Sequence, residues 1–344
     1  MQQTGKLPLT IVTGFLGSGK TTLLSALLKK PALSRAAVIV NEFGRAGLDH
    51  RILRRVDEKT TLLGGGCVCC NIRADLVREL TNIQSARDRG ELDCDRVVIE
   101  TTGLADPAPI MFSVLTDPML QHHYTVDAVI SCVDAVNGML HLDTTPESVK
   151  QIAVADKIIL TKTDLAQADA LPALREKIRA FNPAAQIFEA VYGDIDAQAL
   201  LRTDALPPRD APAALPAIPA RRHGSEVRSV SIRFYEPLDW GAFGLWLSML
   251  LFAHGEEIYR VKGMVDTGAS GPVAINGVQH IIHPPQHFDS WGEEERRSEI
   301  VFIMRSIAPR EILDSLRAFQ GVLGAAAQIE EVDQAPGAER GEAR

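Results

Sequence analysis

The sequence contains no long apolar run, no excess of positive charge and few cysteines. Its longest apolar helical stretch, Phe243 to Ala253, is far shorter than the roughly 20 residues needed to cross a bilayer. The formal net charge is −8, whereas a nucleic-acid-binding protein carries clustered Lys and Arg. The first apolar run is short and leads directly into a glycine-rich loop, so we expect no signal peptide. These absences predict a cytoplasmic protein with no membrane partner and no nucleic-acid partner.

The cysteines are few but clustered. Three of the five, Cys67, Cys69 and Cys70, fall within four positions. In a reducing compartment such a cluster favours metal or redox chemistry over structural disulfides. Cys94 and Cys132 lie singly in or beside strand patterns, and we expect both in the core.

The strongest pattern is a glycine-rich loop near the N-terminus, of the form G-x-x-x-x-G-K-[ST]. The apolar run 9–12 before it indicates a strand, and the stretch 22–28 after it indicates an amphipathic helix. Glycines let backbone N–H groups point at a phosphate chain, and the positive end of the helix faces the same anion. Lys20 is expected to reach the β- and γ-phosphates, and the Thr21 hydroxyl to bind Mg²⁺. The predicted nucleotide-binding residues of this phosphate loop are Gly14, Phe15, Leu16, Gly17, Ser18, Gly19, Lys20, Thr21 and Thr22.

Short apolar runs alternate with helical patterns up to about residue 200. Several runs are rich in Val and Ile, as expected of strands covered on both faces. The alternation predicts an α/β fold of the P-loop NTPase type, with a mostly parallel sheet and helices on both faces. Ligands of such sheets bind at the carboxyl ends of the strands. The predicted strands are Thr10–Val12, Ala37–Val40, Arg96–Ile99, Ala128–Val133, Ile158–Leu160 and Ile187–Ala190.

The composition changes after residue 202, which ends the predicted GTPase domain 1–202. Residues 203–224 are rich in proline and alanine and predict a stiff linker. Residues 225–328 predict a smaller C-terminal α+β domain with a mainly antiparallel sheet. Residues 329–344 are acidic, contain Gly, Pro and Ala, and are predicted to be disordered. The expected C-terminal elements are strands at 227–235, 257–265, 273–282 and 299–307, and helices at 240–253 and 309–319.

Two acidic segments follow predicted strands, where the terminal phosphate of a nucleotide is sensed. Glu42 is a metal ligand, a contact of the Mg²⁺ shell or an ordinary acid at a strand end, and the sequence leaves these interpretations open. Glu100 can hold a Mg²⁺-bound water, as an acid at this position does in P-loop proteins. Gly103 lets a backbone N–H approach the γ-phosphate, so residues 100–107 are predicted to form a switch segment. Lys20, Thr21, Glu100 and Gly103 are therefore the predicted catalytic residues.

The stretch 64–70, Gly-Gly-Gly-Cys-Val-Cys-Cys, predicts a metal site. Three thiolates on a pliable backbone can converge on one soft cation such as Zn²⁺, Co²⁺ or Cu⁺. Adjacent Cys69 and Cys70 need not both bind the same ion. Because no second C-x-x-C pair supplies a fourth ligand, an open site from which metal can be transferred is favoured. A disulfide switch is the alternative.

Residues 161–164, Thr-Lys-Thr-Asp, follow the predicted strand Ile158–Leu160. Asp164 can accept hydrogen bonds from N1–H and the N2 amino group of guanine, and adenine offers neither donor. Lys162 can lie along the base and the phosphate loop. The pattern is similar to N-K-x-D, with Thr161 in place of Asn. We therefore expect GTP rather than ATP as the nucleotide.

The motifs GFLGSGKTTLL, NEFG, GGGCVCC, ETTGLADP and TKTD, in this order, closely resemble those of the CobW-type metallochaperone GTPases, which belong to the SIMIBI class of P-loop proteins. Residues 258–263 and 283–291 are also similar to the CobW C-terminal domain. The resemblance implies GTP hydrolysis coupled to delivery of a metal to a client metalloprotein. Zinc is the commonest cargo proposed for the family, with cobalt in other branches. The resemblance also implies that Cys67, Cys69 and Cys70 bind the cargo metal, with Glu42 as a further candidate ligand.

We expect GTP and Mg²⁺ to order the switches and raise metal affinity, and hydrolysis to release the ion. No obvious Gln follows Gly103 to position the attacking water, so slow hydrolysis without metal or partner is expected. A monomer or weak homodimer is expected. His280, His283 and His287 are expected to be structural or solvated. The alternatives are a cobalt chaperone for cobalamin synthesis, a nitrile hydratase activator, a non-catalytic zinc- and nucleotide-binding module, and a P-loop kinase.

Overall fold

The computed structural model describes residues 5–40, 60–62, 70–167, 169–201, 227–292, 296–323 and 329–332. The chain divides into two compact units. The first spans residues 1–176 and 185–204, and the second spans 177–184 and 205–344. None of the helices in the described ranges is long and apolar enough to cross a membrane.

The first unit is built on a seven-stranded parallel sheet in the order β3-β2-β4-β1-β5-β6-β7. Strand β1 lies between β4 and β5, and its side chains Leu9 and Ile11 are fully buried, as expected of a central strand covered on both faces. The predicted fold class is therefore confirmed. The strands are β1 (Leu7–Gly14), β2 (Ala36–Val40), β3 (Thr60–Leu62), β4 (Arg96–Glu100), β5 (Tyr124–Asp134), β6 (Lys157–Thr161) and β7 (Gln186–Ala190).

In the described part of the first unit, helices lie between successive strands from β3 onward and between β1 and β2. Parallel neighbours require crossover connections of this kind, because the end of one strand and the start of the next lie at opposite edges of the sheet. The α-helices are Lys20–Leu27, Cys70–Asp88, Ala108–Thr116, Pro118–His123, Gly138–Thr144, Pro146–Ala153, Ala170–Phe181 and Ala197–Leu201, with a 3₁₀ turn at Pro31–Leu33.

The register of the sheet brings the carboxyl ends of the strands into one row. Val40 pairs with Leu62 on one side and with Glu100 on the other, and Glu100 pairs with Val12. On the other side of β1, Gly14 pairs with Cys132. Asp134 pairs with Thr161, which pairs with Ala190. Every loop that leaves this row is therefore a candidate to contact a ligand at the edge of the sheet.

The second unit is an antiparallel sheet in the order β11-β10-β9-β13-β8-β14, with β12 paired to β10. Strand β8 alternates buried and more exposed residues, and the buried side chains pack with the helices into one apolar core. The helices Trp240–His254 and Pro309–Leu323 are joined by a hydrogen bond from Trp246 Nε1 to Ser315 Oγ (3.1 Å). The strands are β8 (Val227–Phe234), β9 (Ile258–Val265), β10 (Val273–Val278), β11 (Ile281–Ile282), β12 (Gln286–His287), β13 (Ser298–Arg305) and β14 (Ile329–Val332).

Two details of the second unit differ from the sequence-based expectations. The strand expected at 273–282 is a tight hairpin, because Gln279 adopts a left-handed conformation (φ 52°) and reverses the chain between β10 and β11. The tail expected to be disordered from residue 329 begins with β14, which pairs with β8 from Ile329↔Phe234 to Val332↔Ser231. This pairing satisfies backbone groups along an edge that β8 would otherwise present. The predicted linker 203–224 and residues 333–344 lie outside the described residues.

Candidate functional site

The phosphate loop connects the end of β1 to the helix that begins at Lys20. Gly14, Gly17 and Gly19 have φ angles of 136°, 72° and 87°, which residues with a side chain rarely adopt. A Cβ on Gly14 would lie 2.3 Å from the carbonyl oxygen of Cys132 on the adjacent strand. The sequence G-x-x-x-x-G-K-T thus folds into a tight loop at the carboxyl end of the central strand, followed by a helix N-terminus that favours anions.

Lys20 lies across this loop. Its Nζ donates hydrogen bonds to the carbonyl oxygens of Gly14 (2.8 Å) and Phe15 (3.0 Å), and the residue is 8% exposed. Burial lowers the pKa of Lys20, and nearby Cys132 and Glu100 only partly oppose this effect. A phosphate placed beside Nζ would therefore stabilise an ammonium group that burial alone disfavours.

Thr21 and Glu100 meet beside Lys20, although 79 positions separate them in the sequence. The Thr21 hydroxyl donates to Glu100 Oε1 at 2.5 Å, and Glu100 is 4% exposed. A hydroxyl and a carboxylate are hard oxygen ligands of the kind that Mg²⁺ binds together with phosphate oxygens. The pair is therefore chemically suited to a nucleotide-bound Mg²⁺.

The segment that follows Glu100 packs against the phosphate loop. Thr101 donates through its backbone N–H to Val12 O and through its hydroxyl to Thr13 Oγ1, both at 2.9 Å. A Cβ on Gly103 would lie 2.6 Å from the backbone nitrogen of Leu16, so only glycine fits this approach. Gly103 thus lies beside the loop where a terminal phosphate would be sensed.

Gln151 also contacts the segment that follows Glu100, and the sequence analysis did not identify it. Its Nε2 donates to the carbonyl oxygens of Gly103 (3.1 Å) and Ala105 (3.0 Å), and the residue is 1% exposed. It belongs to the helix Pro146–Ala153 and to no recognised motif. A buried glutamine on an otherwise ordinary helix was the available signal, and burial is not visible in the sequence.

Thr161 contacts the phosphate loop. Its hydroxyl lies 2.7 Å from Ser18 O and 3.3 Å from Val133 O, and a Cβ on Gly19 would lie 3.5 Å from its side chain. Asp164 follows on an exposed turn closed by a hydrogen bond from Leu165 N to Lys162 O (3.0 Å). The two ends of this short segment therefore face a buried loop and open solvent, respectively.

Asp134 holds Lys162 and was also missed. Its Oδ2 accepts from Lys162 Nζ (2.7 Å) and Asn137 Nδ2 (3.1 Å), and its Oδ1 accepts from Val136 N (2.8 Å). Burial opposes the charge, but the hydrogen bonds from Lys162, Asn137 and Val136 outweigh it and lower the pKa of Asp134. Lys162 itself has a left-handed backbone (φ 57°). Asp134 thus fixes the lysine at the start of the predicted base-binding turn.

The variant Asp134→Asn is expected to destabilise the first unit by about 2 kcal/mol at pH 7, because an amide N–H₂ would face two donors. Since the folded-state pKa is lowered, the stabilisation by Asp134 is present above the unfolded pKa and is lost as pH falls through the folded value. The difference in free energy of unfolding between the wild type and Asp134→Asn should therefore shrink below about pH 4. Urea denaturation followed by far-UV circular dichroism measures it.

The control for this prediction is Asp93→Asn, which removes an exposed ion pair with Arg35. Its expected cost is below about 1 kcal/mol, because solvent screens such pairs. Equal losses of unfolding free energy in Asp134→Asn and Asp93→Asn would contradict the role of Asp134 as the partner that fixes Lys162. Tryptophan fluorescence would not serve here, because Trp240, Trp246 and Trp291 are the only tryptophans of the chain and all follow residue 227.

Tyr192 is a third residue that the sequence analysis missed. It follows β7 with φ 51° and is 79% exposed. The next residue, Gly193, packs on the helix of the phosphate loop, where a Cβ would lie 2.6 Å from Ala26 Cβ. A strained, exposed aromatic residue therefore lies at the same edge of the sheet as Lys162.

The predicted metal ligands are mostly beyond the described part of the chain. Glu42, Cys67 and Cys69 lie outside the described residues, and Cys70 is the first residue of the helix Cys70–Asp88. Within the described ranges, no group of three or more His, Cys, Asp or Glu could hold a metal ion. That result covers His280, His283 and His287, and His280 Nδ1 lies 2.9 Å from Leu251 O. Cys94 and Cys132 are buried, as expected.

Comparison with known proteins gives two family matches that together cover most of the chain. Residues 8–189 match the family model described as the CobW/HypB/UreG nucleotide-binding domain. Residues 227–320 match the cobalamin synthesis protein cobW C-terminal domain.

Individual relatives carry metal-related names. The chain is 30% identical over 312 residues to the zinc chaperone YjiA of Escherichia coli, covering 89% of this chain and 96% of that protein. It is 36% identical over 197 residues to the zinc-regulated GTPase metalloprotein activator 1 of Schizosaccharomyces pombe, covering 55% and 47%. The crystal structure of Zn(II)-bound YjiA GTPase from E. coli matches with a TM-score of 0.66 at 26% identity, over 92% of this chain and 99% of that one.

Proposed function

Because the chain belongs to the CobW/HypB/UreG family of nucleotide-binding proteins, we propose that it is a GTP-hydrolysing metallochaperone that binds zinc and transfers it to a client protein. The observation that carries the proposal is the convergence of Lys20, the Thr21–Glu100 pair and Gly103 at one edge of the sheet. The name of the relative YjiA, a zinc chaperone, supports zinc as the cargo.

The geometry supports the following division of roles in hydrolysis. Lys20, fixed by two loop carbonyls, would bind the β- and γ-phosphate oxygens. Mg²⁺ held by Thr21 and Glu100 would neutralise charge that develops on those oxygens. The backbone N–H of Gly103 would contact the γ-phosphate, so its position would report whether that phosphate is present.

Guanine would be bound by the turn that begins at Thr161. The exposed carboxylate of Asp164 would accept from N1–H and the N2 amino group, and Asp134 would keep Lys162 beside the base. Tyr192, exposed at the end of the adjacent strand, is suited to stack on the base. These contacts favour a guanine nucleotide over adenine and speak against an ATP-dependent kinase.

The position of β3 supports coupling between nucleotide and metal. Leu62 ends β3 in the same row as Val40 and Glu100, so the segment that carries Cys67 and Cys69 leaves the sheet at the nucleotide edge. With neighbouring strands about 4.8 Å apart, the end of β3 lies roughly 10 Å from β4. On this proposal, a thiolate site on the segment that follows β3 would respond to the switch that begins at Glu100. Zn²⁺ suits such thiolates, and Co²⁺ remains the alternative cargo.

The deciding experiment is a competition titration of the full chain with Zn²⁺ in the presence of Mg-GTP analogue and of Mg-GDP. We expect about 100-fold tighter Zn²⁺ binding in the GTP-like state, which needs about 2.7 kcal/mol of coupling, within the usual range for allostery. The cysteine thiols should release their protons when they bind Zn²⁺ as thiolates, so the affinity for Zn²⁺ should rise with pH.

A variant with Cys67, Cys69 and Cys70 replaced by Ser is the control, and it should lose Zn²⁺ binding in both nucleotide states. Unchanged Zn²⁺ binding in that variant would show that the metal site lies elsewhere in the chain. Equal Zn²⁺ affinities of the wild type in the two nucleotide states would contradict the proposed coupling. Absence of GTP turnover with any metal or partner would leave a non-catalytic zinc- and nucleotide-binding module.

A further inference from the structure

Gln151 lies on the helix Pro146–Ala153, and its side-chain amide reaches the switch segment that follows Glu100. Both of its hydrogen bonds go to backbone carbonyls of that segment, at Gly103 and Ala105. Gly103 also packs closely against Leu16, so the glycine contacts both Gln151 and the phosphate loop. Movement of the segment must therefore break or carry along the contacts of Gln151.

A small cavity of mixed polar and apolar lining also borders Gln151. It has a volume of about 10 Å³, at the lower limit of the space that one water molecule needs. Its lining includes Gln151, Ser148, Ser131 and Ser18 of the phosphate loop. Each of these four carries a buried side-chain oxygen with no hydrogen-bond partner among the described residues. Such oxygens are costly unless hydrogen-bonded, so a shared buried water fits the site.

We infer that Gln151 is a positioning residue that couples the switch segment to the phosphate loop, an inference that rests on the proposed GTP hydrolysis. Its N–H₂ group holds the carbonyls of Gly103 and Ala105, which keeps the N–H of Gly103 at the phosphate loop where the γ-phosphate arrives. Its carbonyl oxygen is buried with no hydrogen-bond partner among the described residues, and the residue lines the cavity that Ser18 also lines. Gln151 thereby stabilises the arrangement of Gly103 that serves GTP, and it makes no contact with the nucleotide itself.

A purely structural role makes a different prediction. If Gln151 only filled space in the core, its loss would lower stability and weaken GDP and GTP alike. As a positioning residue for Gly103, it should instead act on kcat and on the preference for a triphosphate, because only the triphosphate has the group that Gly103 senses.

The test uses Gln151→Met and Gln151→Glu in the full chain. Methionine conserves volume and removes both hydrogen bonds, whereas glutamate keeps the shape and replaces the donor with an acceptor that faces two carbonyls. We expect kcat for GTP to fall by about 10- to 100-fold, with the Kd for GDP changed less than about threefold. The ratio of affinities for a GTP analogue and GDP should fall by about tenfold.

Lys150→Met is the matched control. Lys150 neighbours Gln151 on the same helix and forms an ion pair with Asp106 of the same segment at 3.5 Å, with both side chains partly exposed. Its expected effect is below about twofold. Wild-type kcat and affinity ratio in Gln151→Met, or equal weakening of both nucleotides, would overturn the inference. If the wild-type chain does not hydrolyse GTP, the proposed function fails, but the affinity ratio still tests Gln151.

Discussion

The variant Lys20→Ala is expected to lower kcat/KM for GTP by about 10³-fold. The ammonium group of Lys20 lies against the phosphate loop, where it donates hydrogen bonds to the carbonyl oxygens of Gly14 and Phe15. Removing one preorganised group of this kind from a buried site costs roughly 10²- to 10³-fold, and the ammonium also contributes to ground-state binding of the phosphates. Phosphate release at several GTP concentrations measures the loss.

Lys29→Ala is the control, because Lys29 is exposed just beyond the same helix and should leave kcat/KM within about twofold. Lys20→Arg should not restore activity, since a planar guanidinium does not fit a position that is 8% exposed. Burial lowers the pKa of Lys20, so its ammonium group should lose its proton at a lower pH than an ordinary lysine does. Wild-type kcat/KM should therefore begin to fall at a pH below the usual pKa of lysine. Wild-type turnover in Lys20→Ala would contradict the assignment of the loop.

The central strands of the first unit were predictable because their sequences are dominated by Val and Ile. The run at residues 96–100 has no alternation, and it is a buried strand between β1 and β2. Strand β3 was missed because it has three residues, two of them threonine, and is recognisable only through its pairing with β2. The turn at Gln279 was missed for a similar reason, since a left-handed conformation at a residue other than glycine leaves no pattern.

The candidate site divides in the same way between local and long-range information. The phosphate loop is a continuous motif, so its position between β1 and the helix at Lys20 follows from eight consecutive residues. Gln151 contacts a residue 48 positions earlier, and Asp134 contacts one 28 positions later. Neither belongs to a motif with fixed spacing, because the sheet brings these residues together only after folding. The metal loop at Cys67 and Cys69 stays a prediction.

The variant Asp164→Asn is expected to weaken GTP binding by roughly 10³-fold, because two hydrogen bonds to a charged acceptor are lost or reversed. An Asn amide presents one acceptor and one donor to the base. Xanthine keeps the N1–H of guanine but carries an oxygen in place of the N2 amino group, so the amide complements it. The same substitution should therefore tighten binding of xanthosine triphosphate, and the preference between the two nucleotides should invert.

Competition between the two triphosphates for a fluorescent nucleotide measures this inversion directly, and it requires no turnover. Asp169→Asn is the matched control, because Asp169 is an exposed acid five positions further along, and it should change neither affinity by more than about twofold. Since the phosphate contacts of Lys20 and Thr21 are the same for both nucleotides, their contributions cancel in the ratio. An equal loss for GTP and xanthosine triphosphate would mean that Asp164 supports the turn rather than reading the base, and guanine specificity would then have to come from elsewhere in the chain.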